Sequence, residues 1–100
     1  MTGSGASIAQ GETVITVRYW AAARAAAGVG EDRIVTDGPL SLAEVRERAL
    51  TLHPGADGLA RVIAACSVLV GDAPVGRRDA SEVMVSPGAS VEFLPPFAGG

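Results

Sequence analysis

Residues alternate strictly along 14–20: Ile15, Val17 and Tyr19 fall on one side, Thr16, Arg18 and Trp20 on the other. A period of two carried by β-branched and aromatic side chains predicts a β-strand. The pattern then changes abruptly. Residues 21–27 are alanine around a single arginine, strong helix formers that stop at Gly28, so a short helix with a glycine end is expected. Residues 33–36 read as a second strand, closed by the Asp37-Gly38-Pro39 turn. Ser41 and Glu44 have capping-box spacing, with a hydroxyl and a carboxylate placed to satisfy free amides at a helix start. Leu42, Val45, Ala49, Leu50 and Leu52 then form the apolar stripe of the main helix, which should end by His53 before Pro54-Gly55.

The second half of the chain is more broken. Residues 58–63 suit another turn or two of helix, and residues 67–70 a strand. Residues 71–74 form a turn, 82–85 a weak strand, and Pro87-Gly88 another turn before the last strand at 90–94. Strand, short helix, strand, long helix, strand and final strand together give an α+β domain, a small mixed sheet packed on one main helix. If the first and last strands pair at the centre of that sheet they are parallel, the arrangement of a β-grasp. Residues 13–94 would form that domain, residues 1–12 a disordered tail and residues 95–100 an extended one.

The final segment is the most informative. After Leu94 come Pro95-Pro96, which fix φ and cannot continue a sheet ladder, then Phe97, Ala98, Gly99 and Gly100. Six such residues reach roughly 20 Å when extended. Gly99 and Gly100 carry no Cβ and can pass through a channel closed to other residues. The terminal carboxylate is therefore read as a reactive group delivered into another protein's active site.

Composition narrows the setting. One hundred residues, 48% of them apolar, suit one domain with one modest core. A net charge of −3 without a basic tract makes nucleic acid an unsuitable partner, and no apolar run is long enough to span a bilayer. All eight basic residues are arginine, so no side-chain amine is present for an activated C-terminus to acylate. The single Cys66 lies in an apolar run and reads as a structural thiol in a reduced, cytoplasmic setting. His53 stands alone, without a second histidine to build a metal site, and reads as a solvent-facing helix-end residue.

Three segments read together resemble the MoaD/ThiS family of sulfur carriers. Residues 17–28 resemble its opening strand and helix, and residues 41–45 its serine- or threonine-initiated helix. Residues 94–100 are similar to the Pro-Pro-x-x-Gly-Gly ending of the molybdopterin synthase small subunit. Two segments depart from the family pattern: the turn at 86–90 lacks its usual aspartates, and residues 71–75 lack its asparagine.

The resemblance implies a chemistry. A ubiquitin-activating-type adenylyltransferase, using ATP and Mg²⁺, converts the Gly100 carboxylate to an acyl-adenylate, and sulfur then displaces AMP to leave a thiocarboxylate. The tail, with Pro95, Pro96, Ala98 and Gly99 threading, enters the molybdopterin synthase large subunit and gives sulfur to cyclic pyranopterin monophosphate. The chain itself binds no cofactor. The implied partner interface comprises Trp20, Arg24, Pro74, Leu94 and Phe97, although Trp20 and Phe97 suit a partly buried position equally. Alternatives that keep the same tail are a carrier for cysteine or thiamine-thiazole synthesis and a ubiquitin-like protein modifier.

Overall fold

The computed structural model describes residues 13–96. The readings of residues 1–12 as a tail, and of Phe97, Ala98, Gly99 and Gly100, lie outside the described residues. The strand forecast from strict alternation is β1 (Val14–Tyr19), in which Ile15, Val17 and Tyr19 are buried. It leads directly into α1 (Ala21–Ala27), which ends at Gly28 with φ of +83°; the Gly28 N–H donates to the Arg24 carbonyl at 2.9 Å. That left-handed closure needs a residue without a Cβ. The opening of α1 is less relaxed, because Ala21 also has a positive φ, +49°.

β2 (Glu31–Val35) begins two residues earlier than the sequence pattern indicated and pairs antiparallel with β1, Val17 opposite Asp32. A two-residue β3 (Leu40–Ser41) precedes α2 (Leu42–Leu52). The capping box is present in both halves: Ser41 Oγ accepts from Glu44 N at 3.1 Å, and Glu44 Oε1 accepts from Ser41 N at 2.8 Å. Leu42, Val45 and Ala49 carry the buried face of this helix. Leu52 does not belong to it, being 49% exposed near the helix end, which corrects the stripe drawn from the sequence.

α3 (Leu59–Ala65) buries Leu59 and Ile63 and delivers the chain to β4 (Ser67–Val70). The following segment does more than turn: β5 (Ala73–Pro74) pairs back on β4, Leu69 opposite Pro74. β6 (Met84–Val85) joins β3 in a separate two-stranded sheet, and β7 (Ser90–Leu94) closes the fold.

The main sheet has the order β2-β1-β7-β4-β5, with β1 and β7 parallel at its centre and the other pairs antiparallel. The turn before β7, although free of aspartate, closes through Gly88 at φ +94°, whose N–H donates to the Val14 carbonyl at 2.8 Å. One face of the sheet packs on the helices. Tyr19 and Phe93, paired across the central strands, stack there with ring centroids 6.1 Å apart. Among the described residues no helix is long and apolar enough to cross a membrane.

Candidate functional site: the open sheet face at the root of the tail

The other face of the sheet is uncovered, and the parallel register determines what stands on it. Arg18 lies opposite Glu92 and Tyr19 opposite Phe93, so Trp20 and Leu94 come next to each other at the end where β7 runs into Pro95-Pro96. The backbone ties this corner together, since Trp20 N–H donates to the Phe93 carbonyl at 3.2 Å. Trp20 is 47% exposed, which decides the question left open by the sequence in favour of a surface position. Its indole N–H donates to Glu92 Oε1 at 2.9 Å, so the ring is held in one orientation rather than left to rotate. Arg18 faces Glu31 at 3.7 Å on the other side. One row across the sheet therefore carries charges of alternating sign, Glu31, Arg18 and Glu92, followed by two apolar residues, Leu69 and Pro74.

Arg24 reaches the same corner from α1. Its guanidinium lies over Gly30, where an added Cβ would stand 3.7 Å from both Cζ and Nε. It lines an open groove of about 450 Å³ together with Arg18, Trp20 and Glu31. Trp20, Arg24 and Leu94 thus gather near the point where the tail leaves the sheet. Pro74 does not join them. It occupies the opposite edge strand, three strand spacings or roughly 14 Å from β1, so a partner touching both must cover most of the sheet face. Pro95 is half-buried and Pro96 exposed. Phe97 and the three residues after it lie beyond the described range.

A second polar arrangement, not forecast from the sequence, supports this corner from the core side. The Tyr19 hydroxyl donates to Asp32 Oδ2 at 2.8 Å, and His53 Nε2 lies 2.5 Å from the same oxygen. His53 is thus no solvent-facing residue: its side chain is 14% exposed and its ring meets Tyr19 edge-on, centroids 6.0 Å apart. Burial, followed by the bond to Asp32 and its charge, holds the Tyr19 hydroxyl well above the ordinary tyrosine range. The contact links β1, β2 and the end of α2. Its sequence signal was the polar Asp32 between Glu31 and Arg33, legible only once the β1–β2 register was known.

Cys66 fits a structural thiol, half-buried rather than fully buried. Its Sγ donates to the Val62 carbonyl at 3.2 Å, and burial pushes the thiol up, away from the reactive thiolate.

A parallel central pair, an open face and a proline-led segment leaving the central strand define a ubiquitin-like β-grasp. The ThiS family matches residues 17–100, and the chain belongs to that family. Its fold is shared with small archaeal modifier protein 1 from Haloferax volcanii, at 20% identity and a TM-score of 0.70, over 87% of this chain and 99% of that one. The Methanosarcina acetivorans protein of the same name gives 19% and 0.67, over 88% and 97%. A Pyrococcus furiosus protein assigned as molybdopterin converting factor subunit 1 gives 20% and 0.63, over 84% and 98%. A comparison with curated proteins returned no match.

Proposed function

We propose that this chain is a sulfur carrier whose Gly100 carboxylate is adenylated, exchanged for a thiocarboxylate and used as a sulfur donor in making the molybdenum cofactor. The observation that carries the reading is the family match running through Gly100, combined with Pro95-Pro96 leaving the central strand beside the exposed Trp20. The open face carries an exposed indole held by Glu92, a surface that suits docking.

A free carboxylate is a poor acyl donor. Attack of its oxygen on the α-phosphorus of ATP releases pyrophosphate and creates an acyl-adenylate with AMP as leaving group. A persulfide sulfur displaces AMP, and a thiol then cleaves the sulfur–sulfur bond to free the thiocarboxylate. That group is ionised at neutral pH and attacks through a polarisable sulfur, as thiolates do. An adenylyltransferase of the ubiquitin-activating type supplies the first step. A molybdopterin synthase large subunit supplies the acceptor site, with the Trp20, Arg24 and Leu94 corner as the docking point and Pro74 reached only by a partner that covers most of the sheet face.

Likeness to the modifier proteins favours one second reading, in which Gly100 is joined to an amine of another protein. The lysine-free sequence suits it, because no side chain of this protein can accept its own C-terminus. The test is a reconstitution with activating enzyme, ATP, Mg²⁺, a sulfur donor and synthase large subunit. Dithiolene formation should require Gly100 and vanish on its deletion while the circular dichroism spectrum is unchanged. Dithiolene formation undiminished by the deletion rules the carrier reading out.

A further inference from the structure

Glu92 differs from the other charged groups of the open face in what it holds. Trp20 keeps an extended backbone, φ −119° and ψ 150°, so the alternation of β1 continues and places Arg18 and Trp20 on one face. The parallel register sets Glu92 directly across from Arg18. An ion pair between those two would be the ordinary cross-strand outcome. Arg18 instead faces Glu31 at 3.7 Å, and among the described residues no cation comes within ion-pair distance of Glu92. The Glu92 carboxylate reaches the diagonal neighbour and accepts the indole N–H of Trp20 at 2.9 Å.

That bond meets a requirement particular to a tryptophan on a docking surface. An indole offers a partner a large apolar face, but its N–H must keep an acceptor once water is displaced. With Glu92 in place, the N–H is satisfied before a partner arrives. The bond also turns the N–H edge of the ring toward β7, while Trp20 helps to wall the groove it shares with Arg18, Arg24 and Glu31. A ring fixed in advance loses less rotational freedom on binding.

We infer that Glu92 is the positioning residue of the docking corner. Acting through Trp20, it holds the indole in the pose the partner meets and keeps the N–H bonded when the partner covers it. That role rests on the reading of this corner as the docking point of the synthase large subunit. The bond needs an acceptor oxygen at this position and not a negative charge, so glutamine serves where alanine does not.

The chain has one tryptophan, so a single indole N–H resonance reports on the bond. In the isotopically labelled full chain, that proton should exchange with water about five-fold faster or more in Glu92→Ala, and near the parental rate in Glu92→Gln. Calorimetry with the synthase large subunit should show Glu92→Ala binding about five-fold more weakly or worse, and Glu92→Gln within about two-fold of the parent. In a Trp20→Phe chain, which has no N–H to hold, Glu92→Ala should change binding by less than about two-fold. Glu92 stands on the open face, so alanine there leaves the core intact, and unshifted amide resonances of the buried Ile15 and Val45 verify it. A parent chain that does not bind the large subunit overturns the carrier reading, and this inference with it. Four results overturn this inference alone, given a parent that binds: equal binding by Glu92→Ala, a Glu92→Gln chain as weak as Glu92→Ala, the same loss in the Trp20→Phe chain, or indole exchange indifferent to Glu92.

Discussion

Tyr19 makes the alkaline limb of this protein's stability unusually simple to interpret. The chain has one tyrosine, one cysteine and no lysine, so above neutrality the side chains able to lose a proton before arginine does are Tyr19 and Cys66. Tyr19 is 2% exposed, and its hydroxyl donates to a carboxylate that also holds His53. Its folded pKa is raised above the unfolded value of about 10. Such a group stabilises the fold fully below the unfolded pKa. The contribution falls as pH climbs, because the unfolded chain releases the proton and the folded chain keeps it. Once the unfolded tyrosine is ionised, stability should drop by about 1.4 kcal/mol per pH unit. Cys66, raised by burial, acts in the same direction from about pH 9. Tyr19→Phe should cost about 1.5 kcal/mol at pH 7, the low end for a bond to a charged acceptor, because Asp32 keeps His53 as a partner. It should also remove the tyrosine part of the alkaline slope, so that variant and parent converge as pH rises. Urea unfolding from neutral pH to beyond the tyrosine range, on parent, Tyr19→Phe and Cys66→Ser, measures both. A Tyr19→Phe protein with the full parental slope, or phenolate absorbance appearing in the folded parent at the ordinary tyrosine pKa, would refute the reasoning.

Three further outcomes follow from single side chains. Ser41→Ala removes one half of the capping box and should lower stability by about 1 kcal/mol in the same urea assay. Ala21→Gly relieves a left-handed conformation at the corner between β1 and α1 and should raise stability by up to about 1 kcal/mol, with the thermal midpoint moving upward. Trp20→Ala should weaken binding to the synthase large subunit about ten-fold or more by calorimetry. Its effect on unfolding should stay within about 1 kcal/mol, because the ring is half exposed.

The elements that follow from local chemistry were legible in the sequence. The alternation of β1, the glycine closure of α1 and the capping box of α2 each depend on residues within one or two turns of one another. What was hidden depends on register. Nothing local places Asp32 beside His53; that contact forms because β1 aligns Val17 with Asp32 while α2 ends over the same strand. The exposure of Leu52 was hidden similarly, since a helical stripe says which residues share a side but not where the sheet beneath it stops. Pro74 was grouped with Trp20 in one interface; the structure sets it on the edge strand β5, two strands beyond β7, a pairing hidden because residues 71–74 read as a turn. The tail reading rests on composition alone, two prolines and, after Phe97 and Ala98, two glycines; of these residues only Pro95 and Pro96 lie within the described range.

The central claim is that Gly100 carries sulfur, and intact mass spectrometry of the protein taken from its native host tests it most directly. The account predicts a species heavier by the exchange of one oxygen for one sulfur, localised by fragmentation to Gly100 and lost when the activating enzyme is deleted. A chain found only with its plain carboxylate, or joined through Gly100 to amines of other proteins, would contradict it.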